Sequence, residues 1–337
     1  MKKKQPFLIA EIAQAHNGSI EKAHEYIEAV ATTGVNAIKF QTHIADAESS
    51  IHEPFRIKMN TEDKTRFDYW KRMEFSLAQW KELKAHCDEV DLEFMSSPFS
   101  NAAVDLLEEV GVKRYKVGSG EVTNFLMLQK IALTKKPIIL SSGMSSFEEL
   151  DKTVSFLKAH QVSFSILQCT TSYPTTPENY GLNVIQQLKK RYKVPVGYSD
   201  HSANIETGIA AISLGAEILE FHVKLNNLET GPDASSSLTI DEAKVLVKSL
   251  GSVSTKQYPL VDKNDNSQFV ELKNIFEKSL AVNKNLKAGS LLTFEDLEAK
   301  KPRGYGISAS QFQEVLGKQL RRDKNQWDFL TLEDILV

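Results

Sequence analysis

The chain has 337 residues, 41% of them apolar and 25% charged, an ordinary globular composition with room for one large fold and an appendage. Its 41 basic and 44 acidic residues give a net charge of -3, which excludes a broad nucleic-acid footprint or a polybasic membrane surface, so substrate recognition must be local. Two cysteines, Cys87 and Cys169, rule out a disulfide framework or a four-cysteine zinc site and suit a reducing compartment, the cytoplasm; the apolar run after Lys4 stops at Glu11, too short for a signal peptide, and no stretch is long enough to span a membrane.

Short apolar runs alternate with amphipathic helical stretches. FLIAEIA (7–13) is followed by a helix over 19–33 and then by AIKFQT (37–42). The charged and aromatic segment from Ile44 to Phe75 is long for a connector and reads either as a lid or as a solvated insertion. Further strands are predicted at EFMSS (93–97), RYKVGS (114–119), PIILSS (137–142), FSILQCT (164–170), VPVGYS (194–199) and ILEFHVKL (218–225). Helical patterns fall between them at 76–90, 101–110, 124–134, 146–160, 182–192 and 205–214, and another follows at 240–250. Eight strand-then-helix units predict an α/β fold, a (β/α)8 TIM barrel over residues 1–255, rather than an open doubly wound sheet. Residues 256–278 read as a polar linker with one short helix, and 279–337 as a small domain of short strands and turn glycines with too little core to stand alone.

In such a barrel the C-terminal ends of the strands form the active face, and here they are polar. Glu11 ends the first strand, Lys39 and Gln41 the second, Ser97 the third, Lys116 with Ser119 and Glu121 the fourth, and Ser141 the fifth. Cys169 and Thr171 follow on the sixth, Ser199 and His201 on the seventh, and Glu220 and His222 on the eighth. Burying unpaired charge costs several kcal/mol, so this ring implies a bound polar ligand. Lys39 and Lys116 with the hydroxyls of Ser97, Ser119, Ser141 and Ser199 suit an anion such as phosphate; alternatively the lysines form structural ion pairs with Glu11 and Glu121. His201 and His222 lie on neighbouring strands and can share one divalent cation with open coordination positions. The other histidines read as structural, although His16 in AHNG can line the mouth. Cys169 has no identifiable histidine partner and reads as a small buried thiol. Nucleotide-binding glycine motifs are absent.

Several blocks in order resemble the N-acetylneuraminate (sialic acid) synthases and their legionaminate and pseudaminate relatives: IAEIAQAHNGS (9–19), IKFQTH (38–43), FMSSPFS (94–100), YKVGSGE (115–121), ILSSGM (139–144), CTTSYPT (169–175), GYSDHS (197–202), LEFH (219–222) and GPD (231–233). SLAVNKNLKAGSLL (279–292) resembles the antifreeze-like (SAF) domain of those enzymes. The resemblance implies condensation of phosphoenolpyruvate (PEP) with an N-acetylmannosamine-type aldose to a nine-carbon 2-keto acid and phosphate, assisted by a divalent cation, usually Mn2+. It implies that His201 and His222 hold the cation, and that Lys39, Ser97, Lys116, Ser119, Ser141, Thr171 and Ser199 hold PEP. Glu11, Gln41, Glu121, Tyr173 and Asp233 would face the sugar, and Glu121, Glu11 and Lys116 would carry the catalysis. A domain-swapped homodimer is also implied, in which Arg303 or Lys301 reaches the partner's site.

Three blocks depart from the family pattern. Thr171 replaces a common asparagine, KKPRGYGI (300–307) has an extra residue in the loop that carries the arginine, and EFHVKLNN alters the outer sugar pocket. Either Glu121 or a water at the cation would activate the attacking water. Two rival readings remain: a class I aldolase using Lys116 or Lys39 as a Schiff base, and a non-catalytic carbohydrate- or ice-binding protein.

Overall fold

The computed structural model describes residues 5–57, 63–253 and 265–336. The predicted alternation is present with boundaries shifted by up to three residues. It runs β1 (Phe7–Ala13), α1 (Ile20–Ala31), β2 (Ala37–Thr42), α2 (Ala45–Glu48), α3 (Arg66–Met73), α4 (Leu77–Glu89), β3 (Glu93–Pro98) and α5 (Asn101–Val110). Next come β4 (Tyr115–Val117), α6 (Phe125–Leu133), β5 (Ile138–Ser141), α7 (Phe147–Ala159), β6 (Phe164–Cys169) and α8 (Asn183–Tyr192). The series closes with β7 (Val196–Asp200), α9 (Ile205–Ser213), β8 (Ile218–Lys224), β9 (Ser237–Thr239) and α10 (Ile240–Val253). Strands β1 to β8 are parallel and bond in the order β3-β2-β1-β8-β7-β6-β5-β4, with β9 added to β8. This is the expected (β/α)8 barrel, nearly closed; among the described residues no ladder joins β3 to β4.

Helix starts are written locally. Ser19, Ser76, Ser100 and Ser146 each accept a backbone N–H three residues on, and Ser76 with Gln79 and Ser146 with Glu149 form capping boxes. The apolar stripe of α4, Trp80, Leu83 and Cys87, packs into the core between helices and strands, each large side chain contributing roughly 1.5–3 kcal/mol.

The inside of the barrel has two storeys that follow from strand periodicity. Ile9, Ala37, Met95, Ile139, Leu167 and Ile218, one from each of six strands, form a closed apolar cluster. Side chains repeat faces every second residue, so the next inward positions on those strands are Glu11, Lys39, Ser97, Ser141, Cys169 and Glu220. The lumen is narrow enough to require Gly197, where a Cβ would lie 2.4 Å from the Ile218 carbonyl oxygen.

Contacts divide the chain into two compact units, Met1–Tyr258 and Pro259–Val337. Residues 254–264, which include the first part of the predicted linker, 256–264, lie outside the described residues. In the second unit, α11 (Val270–Phe276) precedes an antiparallel pair, β10 (Ser279–Val282) and β11 (Leu297–Lys300), over a small core that includes Leu280, Leu320 and Leu330. Asp334, fully buried, is held by Lys324, Arg322 and the Thr331 cap. Among the described residues no helix is long and apolar enough to cross a membrane.

Candidate active site

The floor of the barrel mouth is a four-charge network. Strand register sets Glu11 beside Lys39 on one side and His222 on the other, and Ser199 beside Glu220. Lys39 pairs with Glu11 and stands 3.7 Å from Glu220; Lys116 stands 3.1 Å from the same Glu220 oxygen, which also accepts from the Ser199 hydroxyl at 3.0 Å. All four ionisable residues are at most 3% exposed. Burial alone would raise the Glu220 pKa, but the two ammonium groups overcome it and hold the carboxyl at about 2. Glu11 goes the other way: burial, with Glu220 nearby, lifts it to about 7 despite Lys39. Burial and the neighbouring Lys39 lower Lys116, while on Lys39 the two carboxylates outweigh burial and raise it. The expected pairing of a lysine with Glu121 is not formed. Glu220 takes Lys116, and Glu121 instead accepts from the Asn124 amide at 2.8 Å, its pKa raised by burial.

Above the floor, the His201 and His222 rings lie 5.1 Å apart. His201 Nδ1 is 3.0 Å from the Thr170 carbonyl, so Nδ1 carries a proton and, in the neutral ring, Nε2 holds the lone pair. Burial pushes His222 down to about 3, leaving it neutral. Burial opposes charge on His201 too, but the Cys169 sulfur and the Thr170 carbonyl outweigh it and raise its pKa, so cation binding there would release a proton. Among the described residues no cluster of three ligating side chains forms. Two imidazoles fit a cation whose remaining positions go to water or substrate. The pairing of β6 with β7 also corrects the reading of Cys169: its sulfur lies 3.9 Å from His201 Nδ1.

The hydroxyls converge around a glycine. Ser119 Oγ accepts from the Gly143 N–H at 3.1 Å, and a Cβ at Gly143 would fall 2.4 Å from Thr171 Oγ1 and 2.5 Å from Ser119 Oγ.

The segment from Ile44 to Phe75 forms one wall. It carries α2 and α3, and buries Tyr69, Trp70 and Met73 in a cluster of its own. Trp70 stacks on His43 at 3.8 Å, and Phe99 stacks on His43 at 4.5 Å. Arg56 lies 4.4 Å over the Tyr173 ring and bonds Asp233 at 2.6 Å, so the insertion reaches the loop after β8. Every predicted barrel residue, from Glu11 to Asp233, lines one cavity of about 490 Å3, together with Glu220 and the insertion residues Glu48, Glu53, Arg56, Arg66 and Trp70. His43, read from sequence as structural, lines it as well. His16 does not: it is 1% exposed against Phe75, and burial depresses its pKa to about 3. Arg303 belongs to the second unit, where it bonds Glu277 at 2.8 Å.

Residues 26–258 match the NeuB family. The chain belongs to the NeuB family. Its relatives include the N,N'-diacetyllegionaminic acid synthase of Campylobacter jejuni, 35% identical over 94% of this chain and 96% of that one. The human N-acetylneuraminate-9-phosphate synthase is 33% identical over 89% of this chain and 84% of its own length. The crystal structure of an N-acetylneuraminic acid (sialic acid) synthetase from Leptospira borgpetersenii, in complex with citrate, superposes with a TM-score of 0.71 at 30% identity, covering 80% of this chain and 91% of that one. The expected family is therefore borne out, and with it the barrel.

Proposed function

We propose that this NeuB-family protein makes a nonulosonic acid by condensing PEP with an N-acetylated aldose, releasing phosphate. The observation that carries the reading is the convergence of two buried lysines on Glu220, in one cavity with the paired imidazoles. Lys39, Lys116 and the hydroxyls of Ser97, Ser119, Ser141, Thr171 and Ser199 offer PEP the ammonium and O–H donors its phosphate and carboxylate require. His201 and His222 would hold a divalent cation, most simply Mn2+, which supplies Lewis acidity to the acceptor's aldehyde. Glu11, Gln41, Tyr173 and Asp233 orient the sugar.

In the reaction, C3 of PEP attacks the aldehyde carbon, forming the C–C bond and leaving C2 electron-deficient. Water adds to C2, giving its proton to a carboxylate; Glu121, whose pKa burial raises, and Glu11, held at about 7, both suit that role. Collapse of the C2 adduct expels phosphate by C–O cleavage, and the former aldehyde oxygen takes up a proton. Holding both substrates together contributes roughly 7–11 kcal/mol of the barrier reduction, so most lining residues position rather than react.

The second unit is the proposed antifreeze-like domain, offering Arg303 or Lys301 to the partner subunit of a homodimer, and free buried thiols suit a cytoplasmic location. One observation favours the rival aldolase: burial lowers the pKa of Lys116, as an imine-forming lysine requires. Phosphate release that requires both PEP and an aldose supports the synthase. Borohydride trapping of pyruvate on Lys116 would replace it with the aldolase.

A further inference from the structure

We infer that His43 and Gln14 are positioning residues, which hold the Gln41 amide the one way round that donates to Glu11. The inference rests on the synthase reading above and deepens it.

A glutamine amide can face either way, and Gln41 has a carboxylate on one side. Its Nε2 donates to Glu11 Oε1 at 3.0 Å. Turned over, the amide would set its oxygen against that carboxylate, which is only 1% exposed and has little water to relieve the repulsion. What fixes the orientation lies on the far side of Gln41. Its Oε1 accepts from the Gln14 amide. The same Gln14 nitrogen lies 3.3 Å from His43 Nε2, which is itself 3.2 Å from Gln41 Oε1. One amide nitrogen with two N–H groups serves both acceptors of this triangle.

His43 is held in turn. Glu48 takes the proton on its Nδ1 at 2.6 Å, which sets the tautomer and leaves Nε2 to accept from Gln14. Donors and acceptors then follow one another without conflict, from Glu48 through His43, Gln14 and Gln41 to Glu11. Trp70 and Phe99 stack on the imidazole at interplanar angles of 19° and 10°, and the ring is 4% exposed, so it cannot swing out of line. Glu48 belongs to α2 and Trp70 to α3, so the wall formed by the insertion sets a donor at the barrel floor. Packing between Trp70 and Phe99 requires only a flat ring, whereas the relay requires both ring nitrogens. His43→Phe separates the two roles.

The test measures phosphate release from PEP with N-acetylmannosamine, its 6-phosphate, and a 6-deoxy sugar with acetamido groups at C2 and C4, and takes the fastest of the three as acceptor throughout. We expect His43→Phe and Gln14→Leu each to lower kcat/KM for the sugar on the order of tenfold, with KM for PEP within about twofold of wild type. In a Gln41→Met background no amide is left to orient, and His43→Phe should there cost less than about twofold more. A His43→Phe loss of the same size in both backgrounds, an equal rise in KM for PEP, or wild-type kinetics in both single variants overturns the inference while leaving the synthase reading intact. No release by the wild type with any of the three sugars overturns the synthase reading itself, and this inference with it. Should His43→Phe fail to fold, Gln14→Leu, alone and combined with Gln41→Met, decides in its place.

Discussion

Glu220→Gln isolates the charge balance of the barrel floor. The substitution keeps the shape and an acceptor for Ser199 but removes the negative charge that Lys116 and Lys39 share. The Glu220 carboxyl sits at about 2 against an ordinary 4.5, and at 1.36 kcal/mol per unit this is about 3 kcal/mol in favour of the folded, ionised form. Removing one partner of a buried pair costs about 3–5 kcal/mol, in agreement. Because the folded pKa is depressed, this stability is fully present above about pH 4.5 and is lost as pH falls toward 2. At roughly 2–4 °C per kcal/mol, the variant should melt about 6–12 °C below the wild type at pH 7, and the gap should narrow below pH 4.5. Thermal unfolding followed by circular dichroism from pH 8 to pH 3 measures this directly. A gap smaller than about 2 °C at pH 7, or one undiminished at pH 3, would refute the account of the floor.

Four further outcomes follow from the same geometry. Glu11, raised to about 7, is destabilising once ionised, so Glu11→Gln should gain stability relative to the wild type between pH 5 and pH 8; a flat difference in melting temperature contradicts this. EDTA should abolish turnover and Mn2+ restore it, and His222→Ala should lower kcat far more than it raises KM for PEP; metal-free activity would remove the role given to the imidazoles. Gly143→Ala would drive a methyl into Thr171 and Ser119 and should lower kcat/KM for PEP at least about tenfold with a small change in melting temperature, whereas unchanged kinetics would exclude those hydroxyls from the PEP site. A chain ending near Val270 should fold and be nearly inactive, as activity measurements and circular dichroism would show; full activity would refute capping by the partner.

The barrel was legible because each strand carried its own signal. Period-two alternation marks Glu11, Lys39 and Ser97 as inward positions from sequence alone, and serine caps mark where helices begin. What sequence does not carry is distance across the barrel. Lys116 and Glu220 are 104 positions apart in numbering, 220 less 116, and only the curling of the strands into a nearly closed barrel brings them to 3.1 Å. The same closure gives Cys169 its imidazole neighbour. The wall from Ile44 to Phe75 was harder to read, since its aromatic residues follow no strand or helix repeat that points into a site. His43 carries no signal of its site in the sequence, because a lone histidine gives no hint that Trp70 and Phe99 stack on it.

The apolar cluster of Ile9, Met95, Leu167 and their neighbours floors the lumen, so Lys39 and Lys116 stand at its deep end and the half-exposed Arg56 toward its mouth. The expected order of traffic follows from that depth: a guest that settles against Lys39 and Lys116 should enter before one that fills the space beside Arg56, and leave after it. A molecule that lodges only in the upper space therefore acts as a stopper, and its inhibition should not be relieved by flooding the solution with the deeper guest.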